Sequence, residues 1–380
     1  AAANDLGNLH ALTDRPGTAA AFYAEAAREA LRANDPALAA TAEINAARLA
    51  ARTDPRTAAT LLGRAVDRLA AMPRGVPVGM ALVGAGHVAF VPEPRAAAPL
   101  LPAARRAFAE AERIAAATGS ARLAAEAAAG QARLAERAGD LAAAARLTEA
   151  ARTAALSAGT DELRFRLDWQ AGRIARAGGR DAAALEHYRR AIAGLEGFRA
   201  DIPVAYREGE SSFRAGFGTL YQEAADLLLR RAAADPVQAE ALVAEARSAL
   251  ERLRATELQD YFRDPCVTAL QARARPVDRV AADTAVLYPV VLPDRLELLL
   301  GTATRTVRVS VPVSEAKLRI EAEALRLALE RRATFEFLEP ASRLHALLIA
   351  PIEAELRAAR ITTLVVVPDG VLHLPVRSAA

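Results

Sequence analysis

A repetitive all-helical region followed by a smaller α/β region is the fold class this sequence predicts, and three observations carry it. Small and large apolar residues recur at a nearly fixed spacing, roughly 40 residues, through the first half. Hydrophobic residues make up 53% of the chain but aromatics only 4%, so alanine dominates, and alanine is the best helix former. Beyond residue 280 the helical period gives way to runs of Val, Leu, Thr and Tyr bounded by turn residues.

The repeat can be followed residue by residue. Gly7, Ala19, Tyr23 and Ala26 recur, with their mutual spacing kept, as Ala46, Ala58, Leu62 and Ala65. Two later units align on Gly139-Asp140 and Gly179-Arg180, at nearly the same interval. The last unit is the clearest, with Gly172, a turn at Gly179, then Ala184, Tyr188 and Ala191. Small residues at these positions let two antiparallel helices approach closely, and the large residue at Tyr23 or Tyr188 fills the space against the next unit. Units are expected at 1–36, 38–72, 77–118, 119–158 and 162–200, the third being the least regular. Asp35-Pro36, Asp54-Pro55, Gly139-Asp140 and Gly178-Gly179 are turn signals between periodic stretches. One such unit cannot bury its apolar face alone, so the units are expected to stack around a continuous core and present a groove.

From Asp201 to Phe262 the repeat fades while helix continues, with Leu242, Ala246, Ala249, Leu250 and Leu253 forming one stripe. Residues 201–270 therefore read as bridging helices, and Gln271 to Asp278 as a linker. Residues 280–380 read as the α/β region. Strands are expected at Thr284–Leu292, Arg295–Leu300 and Thr306–Val311, and helices at Ser314–Arg332 and Pro340–Arg360. Ile361–Val367 is nearly all apolar, which predicts a central parallel strand covered on both faces. Pro368-Asp369-Gly370 then reads as a hairpin turn into a second short strand ending at Leu374.

Charge excludes more than it identifies. Net charge is +3, and Lys317 is the only lysine, so the positive charge is arginine. The arginines alternate with acids, as in RLAERAGD, in the manner of solvated helix faces, and no basic block with interleaved aromatics argues for a nucleic-acid partner. Cys266 is the single cysteine, so an intrachain disulfide is impossible and a reducing, cytoplasmic setting fits. Gly75–Pro92 carries no formal charge, but the segment between Pro77 and Pro92 is too short for a membrane span and fits a buried helix. Gly84 and Gly86 lack the third glycine and the preceding strand of a phosphate loop.

The helical units resemble tetratricopeptide (TPR) repeats, slightly longer than the minimal unit. Taken in order, WQAGRIARAGGRDAAALEHYRRAIAGLEGFR, ELQDYFRDPCV, TAVLYPVVLPDRLELLL and LVVVPDGVLHLP resemble TPR proteins that carry a CHAT domain, a caspase-like fold. The resemblance implies a TPR superhelix followed by the N-terminal part of a caspase-like α/β domain, incomplete at residue 380. It also implies a bacterial-type cysteine peptidase, or a protease-like signalling protein, regulated by a protein or peptide held in the TPR groove. In that family the catalytic His and Cys lie downstream of the LVVVPDGVLHLP segment. No residue here is carried over as catalytic, this chain is expected to be inactive, and the absence of an initiating Met adds to the expectation of a fragment. The alternative is a non-enzymatic TPR adaptor.

The individual candidates reduce to packing roles. Cys266 has no neighbouring His and reads as a small buried residue, and His373 as a strand residue. His10, His87, His187 and His345 show no metal-ligand spacing, so no metal or cofactor is expected. Glu208, Glu210, Ser211 and Ser212 form a polar loop cluster without specific chemistry. The partner's identity and the oligomeric state are not encoded in these patterns.

Overall fold

The computed structural model describes residues 1–199, 202, 206–207, 210–262, 281–331 and 335–373. The chain forms two compact units, Ala1–Asp201 and Ile202–Ala380.

The first unit is five helix pairs. They are α1 (Ala2–Leu12) with α2 (Pro16–Arg32), α3 (Pro36–Ala50) with α4 (Pro55–Ala70), and α5 (Val76–Gly86) with α6 (Leu101–Thr118). After them come α7 (Ala121–Arg137) with α8 (Leu141–Ala158), and α9 (Asp161–Ala177) with α10 (Asp181–Gly197). The starts follow local chemistry. Pro16, Pro36 and Pro55 occupy first helical positions, where the missing N–H costs nothing. Asp35, Asp54 and Asp140 each accept a hydrogen bond from a backbone N–H in the first turn. Gly119 and Gly159 close α6 and α8 with φ of 66° and 63°, a left-handed conformation costly for any side chain.

The expected close approach is present. A Cβ added at Gly7 would lie 2.5 Å from the Tyr23 ring, and one at Gly172 would lie 2.7 Å from the Tyr188 ring. The third pair is the irregular one: between α5 and α6 the chain makes two 3₁₀ turns, His87–Phe90 and Ala98–Leu100. The uncharged stretch from Gly75 lies here and is packed in the protein, with Leu82, Val83, Ala85, Val88 and Ala89 buried. Among the described residues no helix is long and apolar enough to cross a membrane. Phe108 of α6 is the centre of this pair, received by Gly86 of α5 and Gly130 of α7.

The second unit opens on a short antiparallel ladder, β1 (Tyr206–Arg207) with β2 (Glu210–Ser211), before α11 (Ser212–Ala234) and α12 (Ala239–Phe262). Ser211 caps α11, accepting from the Arg214 N–H. Of the polar loop cluster, this is the role the structure gives; Glu208 lies outside the described residues. So do Cys266 and the whole expected linker, Gln271 to Asp278. Then follow β3 (Thr284–Val291), β4 (Leu296–Gly301), β5 (Thr306–Val311), α13 (Glu315–Arg331), α14 (Leu338–Leu348), α15 (Glu353–Ala358) and β6 (Thr363–Val366).

The sheet order is β5-β4-β3-β6. The first three strands form an antiparallel meander, and β6 joins β3 in parallel. β3 and β4 are buried along their whole length. One face of β3 packs with Leu318 and Leu344 of α13 and α14, while Tyr288 on the other face lies under Arg247 of α12. Pro289 is tolerated in this buried strand for a register reason. The Leu287 carbonyl accepts from Val367 N–H, the last bond to β6, and the next rung is the one whose donor Pro289 lacks, so the ladder ends there.

Two expectations for the last segment are corrected. Among the described residues β6 is not a central strand: it lies at the sheet edge beside β3, with Val365 39% and Val366 47% exposed. An apolar run records a capacity for burial, and the neighbours present decide how much is realised. Nor does Pro368-Asp369-Gly370 turn into a second strand. Gly370–His373 is a 3₁₀ turn, entered with Gly370 at φ 50°, and Asp369 is buried.

Candidate functional site

The first helix of each pair packs on the first helix of the next, α3 on α5, α5 on α7 and α7 on α9. Side chains on this stack therefore converge although they are far apart in sequence. His87 and Phe90 come from the 3₁₀ turn after α5, Arg48 from α3, Arg133, Glu136 and Arg137 from α7, and Arg166, Trp169 and Arg173 from α9.

Phe90 is the platform. The Arg133 guanidinium lies 4.1 Å from its ring centroid and that of Arg137 lies 5.0 Å away, within cation–π range. Arg137 is fixed by donating to the Ala89 carbonyl at 2.9 Å and the Phe90 carbonyl at 3.4 Å, which holds the 3₁₀ turn against α7. His87 lies beside Phe90, with ring centroids 5.7 Å apart. Arg173 pairs with Glu136 through two hydrogen bonds, at 2.8 and 3.1 Å, and lies 5.4 Å from the Trp169 ring.

Arginine and glutamate share this face: Arg173 pairs with Glu136, and Arg166 with Glu162 at 3.0 Å. Burial pulls His87 down to about 4, and the Arg133, Arg166 and Arg48 charges push the same way, so the imidazole is neutral at physiological pH. Desolvation lowers Arg133 to about 10, with further lowering by Arg173 and Arg137 against one opposing acid, Glu136. Arg133 is still a cation at neutral pH, but a crowded one. Arg48 and Arg133 have no carboxylate within ion-pair distance among the described residues. Burial also raises the Glu126 carboxyl of α7, against the nearby Arg166 and Arg122 charges.

The second unit handles charge differently. Asp369, only 3% exposed, receives Arg214 of α11 at 3.4 Å and Arg254 of α12 at 3.6 Å. Tyr288 of β3 lies under Arg247 and Arg254. At the β3–β4 turn, Arg295 reaches Asp226 at 2.7 Å and Glu297 at 2.6 Å, Arg308 reaches Glu297 at 2.9 Å, and Arg230 reaches Asp294 at 2.6 Å. The Arg230 hydrogen bond holds the Asp294 carboxyl below its usual range. An apolar cavity of about 300 Å³ lies between Leu287, Pro289, Leu325, Leu344, Val366 and Leu372. Arg326 at its wall is engaged by Glu330, so the cavity offers little polar chemistry to orient a ligand.

The sequence-level candidates fall as follows. Gly84 and Gly86 lie in α5, where Gly86 receives the Phe108 ring. Asp369 is a buried ion-pair partner rather than a plain turn residue. His373 is the last residue of the 3₁₀ turn rather than a strand residue. His187 lies 3.4 Å from Asp168, where burial alone would raise the carboxyl, but His187, Arg152 and Arg190 together bring it below its usual value. Among the described residues no group of three His, Cys, Asp or Glu could hold a metal ion. The Arg133–Phe90 face was not visible in the sequence. Its arginines are scattered along the chain, and only the stacking of first helices brings them near Phe90 and His87. No family model matches the chain, and a search of curated proteins finds no match.

Proposed function

We propose that this chain is the partner-binding and regulatory part of a TPR–CHAT-type protein, a cysteine peptidase or protease-like signalling molecule. Residues 1–201 bind a protein or peptide and residues 281–373 form the opening of the caspase-like domain. The observation that supports the binding reading is the stack of first helices, which brings Arg133 and Arg137 onto Phe90, Arg173 beside Trp169, and the Arg48 and Arg166 charges within reach of His87. Repeating helix pairs that use the same Gly–Tyr packing at Gly7–Tyr23 and Gly172–Tyr188 support the TPR-like description. A meander with a parallel fourth strand reached through helices is compatible with the opening of a caspase-like sheet.

A non-enzymatic adaptor is the second reading, and the binding face serves it equally well. The two separate on sequence beyond Ala380. Coding DNA that continues into one strand followed by His and another followed by Cys supports the peptidase. A frame that closes without them leaves the adaptor. In the peptidase case, a Cys→Ala variant of the extended chain should lose all cleavage of a peptide library, through loss of the attacking thiolate.

A further inference from the structure

The backbone leaving β6 is weakly tethered. Val367 N–H donates to the Leu287 carbonyl at 2.9 Å. Beyond it, among the described residues, the backbone bond of the segment is its own, from Leu372 N–H to the Asp369 carbonyl at 3.0 Å. Side chains hold the rest. Pro368, Val371 and Leu372 line the apolar cavity with Leu287, Pro289 and Leu344, and Val371 is buried. Asp369 is not on that wall; it reaches Arg214 of α11 and Arg254 of α12. Both contacts are long, at 3.4 and 3.6 Å. Among the described residues none of the three Arg254 nitrogens makes a hydrogen bond, although all are buried. A buried cation in that state costs free energy that a tighter contact recovers. A purely structural tie looks different: on Glu297, Arg295 and Arg308 close to 2.6 and 2.9 Å. Gly370, at φ 50°, lies between Asp369 and Val371 and gives the segment a joint at its middle.

We propose that residues 368–372 form a lid on the apolar cavity and that Asp369 is its latch, through which α11 and α12 hold the lid shut. Opening gives up the Asp369 contacts, the burial of Val371 and the one bond inside the turn, and it breaks no rung of the sheet. It uncovers Leu287, Leu344 and Leu348, and closing buries them again. Control lies in the two helices. Arg214 stands in the first turn of α11, directly after the Ser211 cap, where the chain enters the second unit. Arg254 lies in α12 against Tyr288 of β3. A helix shift of about 1 Å, in the range of switching transitions, either tightens both contacts to hydrogen-bond length or breaks them. The inference rests on the regulatory reading above and names the contact that carries the regulation.

The test uses residues 1–380 and hydrogen exchange at the Leu372 amide, whose bond to the Asp369 carbonyl spans the Gly370 joint and breaks when the lid swings. Arg254→Met removes the cation that makes no hydrogen bond. It should speed exchange at Leu372 about tenfold or more and leave the amides of β4 and β5 unchanged. Asp369→Asn should speed it at least as much, since it loosens both arginines. In both variants the fluorescence of anilinonaphthalene sulfonate, a dye that reports exposed apolar surface, should rise as the cavity opens. Unchanged exchange at Leu372 in Arg254→Met would overturn the latch. Acceleration that is equal in β4 and β5 would overturn it too, because it marks a general loss of stability. Faster exchange at Leu372 without a rise in dye fluorescence would overturn the lid. If Asp369→Asn does not fold, Arg254→Met decides alone. The regulatory reading is tested separately by the coding sequence beyond Ala380, so the two can fail independently.

Discussion

Around Phe108 the helix pairs are built by removal: Gly86 and Gly130 give up their side chains so that one ring can lie between three helices. The sheet is built by filling, with Leu287, Leu296, Leu298 and Leu300 packed side by side and the charges nearby held in pairs. The difference teaches where each unit is vulnerable. Knob-and-socket packing of alanine-rich helices tolerates neither a smaller knob nor a fuller socket. The sheet has no such single socket, and its sensitive points are the buried carboxylates that two arginines share.

The largest effect is expected at the knob. Phe108→Ala should cost about 4 kcal/mol in the unfolding of residues 1–201, because it empties a socket lined by backbone that cannot easily collapse. Urea unfolding followed by circular dichroism measures it, and a cost below about 1 kcal/mol would break the contrast. The corresponding change in the sheet is Glu297→Ala. It strands Arg308 and half of the Arg295 pairing where the lost carboxylate was 1% exposed, and should cost about 3 kcal/mol. Glu297→Gln, which keeps the shape, should recover part of that cost.

A pH titration separates the units again. The folded-state value of His87 lies below its unfolded value, so the unfolded chain takes up a proton that the folded chain refuses. Stability contributed by neutral His87 is therefore complete above about 6.5 and lost as pH falls toward about 4. Allowing for partial solvent access, the loss is roughly 2 kcal/mol, and it should be confined to residues 1–201. His87→Leu should flatten the difference in urea midpoint between pH 7 and pH 5.

The smallest effect is a pair of opposite signs. Ala in place of Gly63, which has open space around it in α4, should stabilise by about 1 kcal/mol through helix propensity alone. The same change at Gly130 should destabilise by about 2 kcal/mol, since the new Cβ overlaps the Phe108 ring. If both variants gain stability, the glycine sockets are not tight.

These particulars also show what was legible in the sequence. The helix pairs were readable because each boundary is announced locally, by Asp35-Pro36, Asp54-Pro55 and the glycine turns, and because the small and large residues repeat. The β3–β4–β5 meander was readable for the same reason, its Pro293-Asp294 turn lying between two apolar runs. The placement of β6 was not, since an apolar strand looks alike at the centre and at the edge of a sheet. The arginine–aromatic face was least legible. Arg48, Phe90, Arg133 and Arg173 are each ordinary in sequence, and only packing the first helices together brings them to one face. Asp369 likewise looked like turn chemistry until α11 and α12 placed Arg214 and Arg254 on it.

Central to the proposed function is a partner-binding face on residues 1–201 and none on the sheet. Hydrogen exchange of the full chain, with and without a saturating short peptide of alternating glutamate and leucine, tests it most directly. Protection gained at 87–90 and along α7 and α9, with the amides of β3 to β6 unchanged, is the expected result. Protection gained in the sheet with none at 87–90 would contradict it.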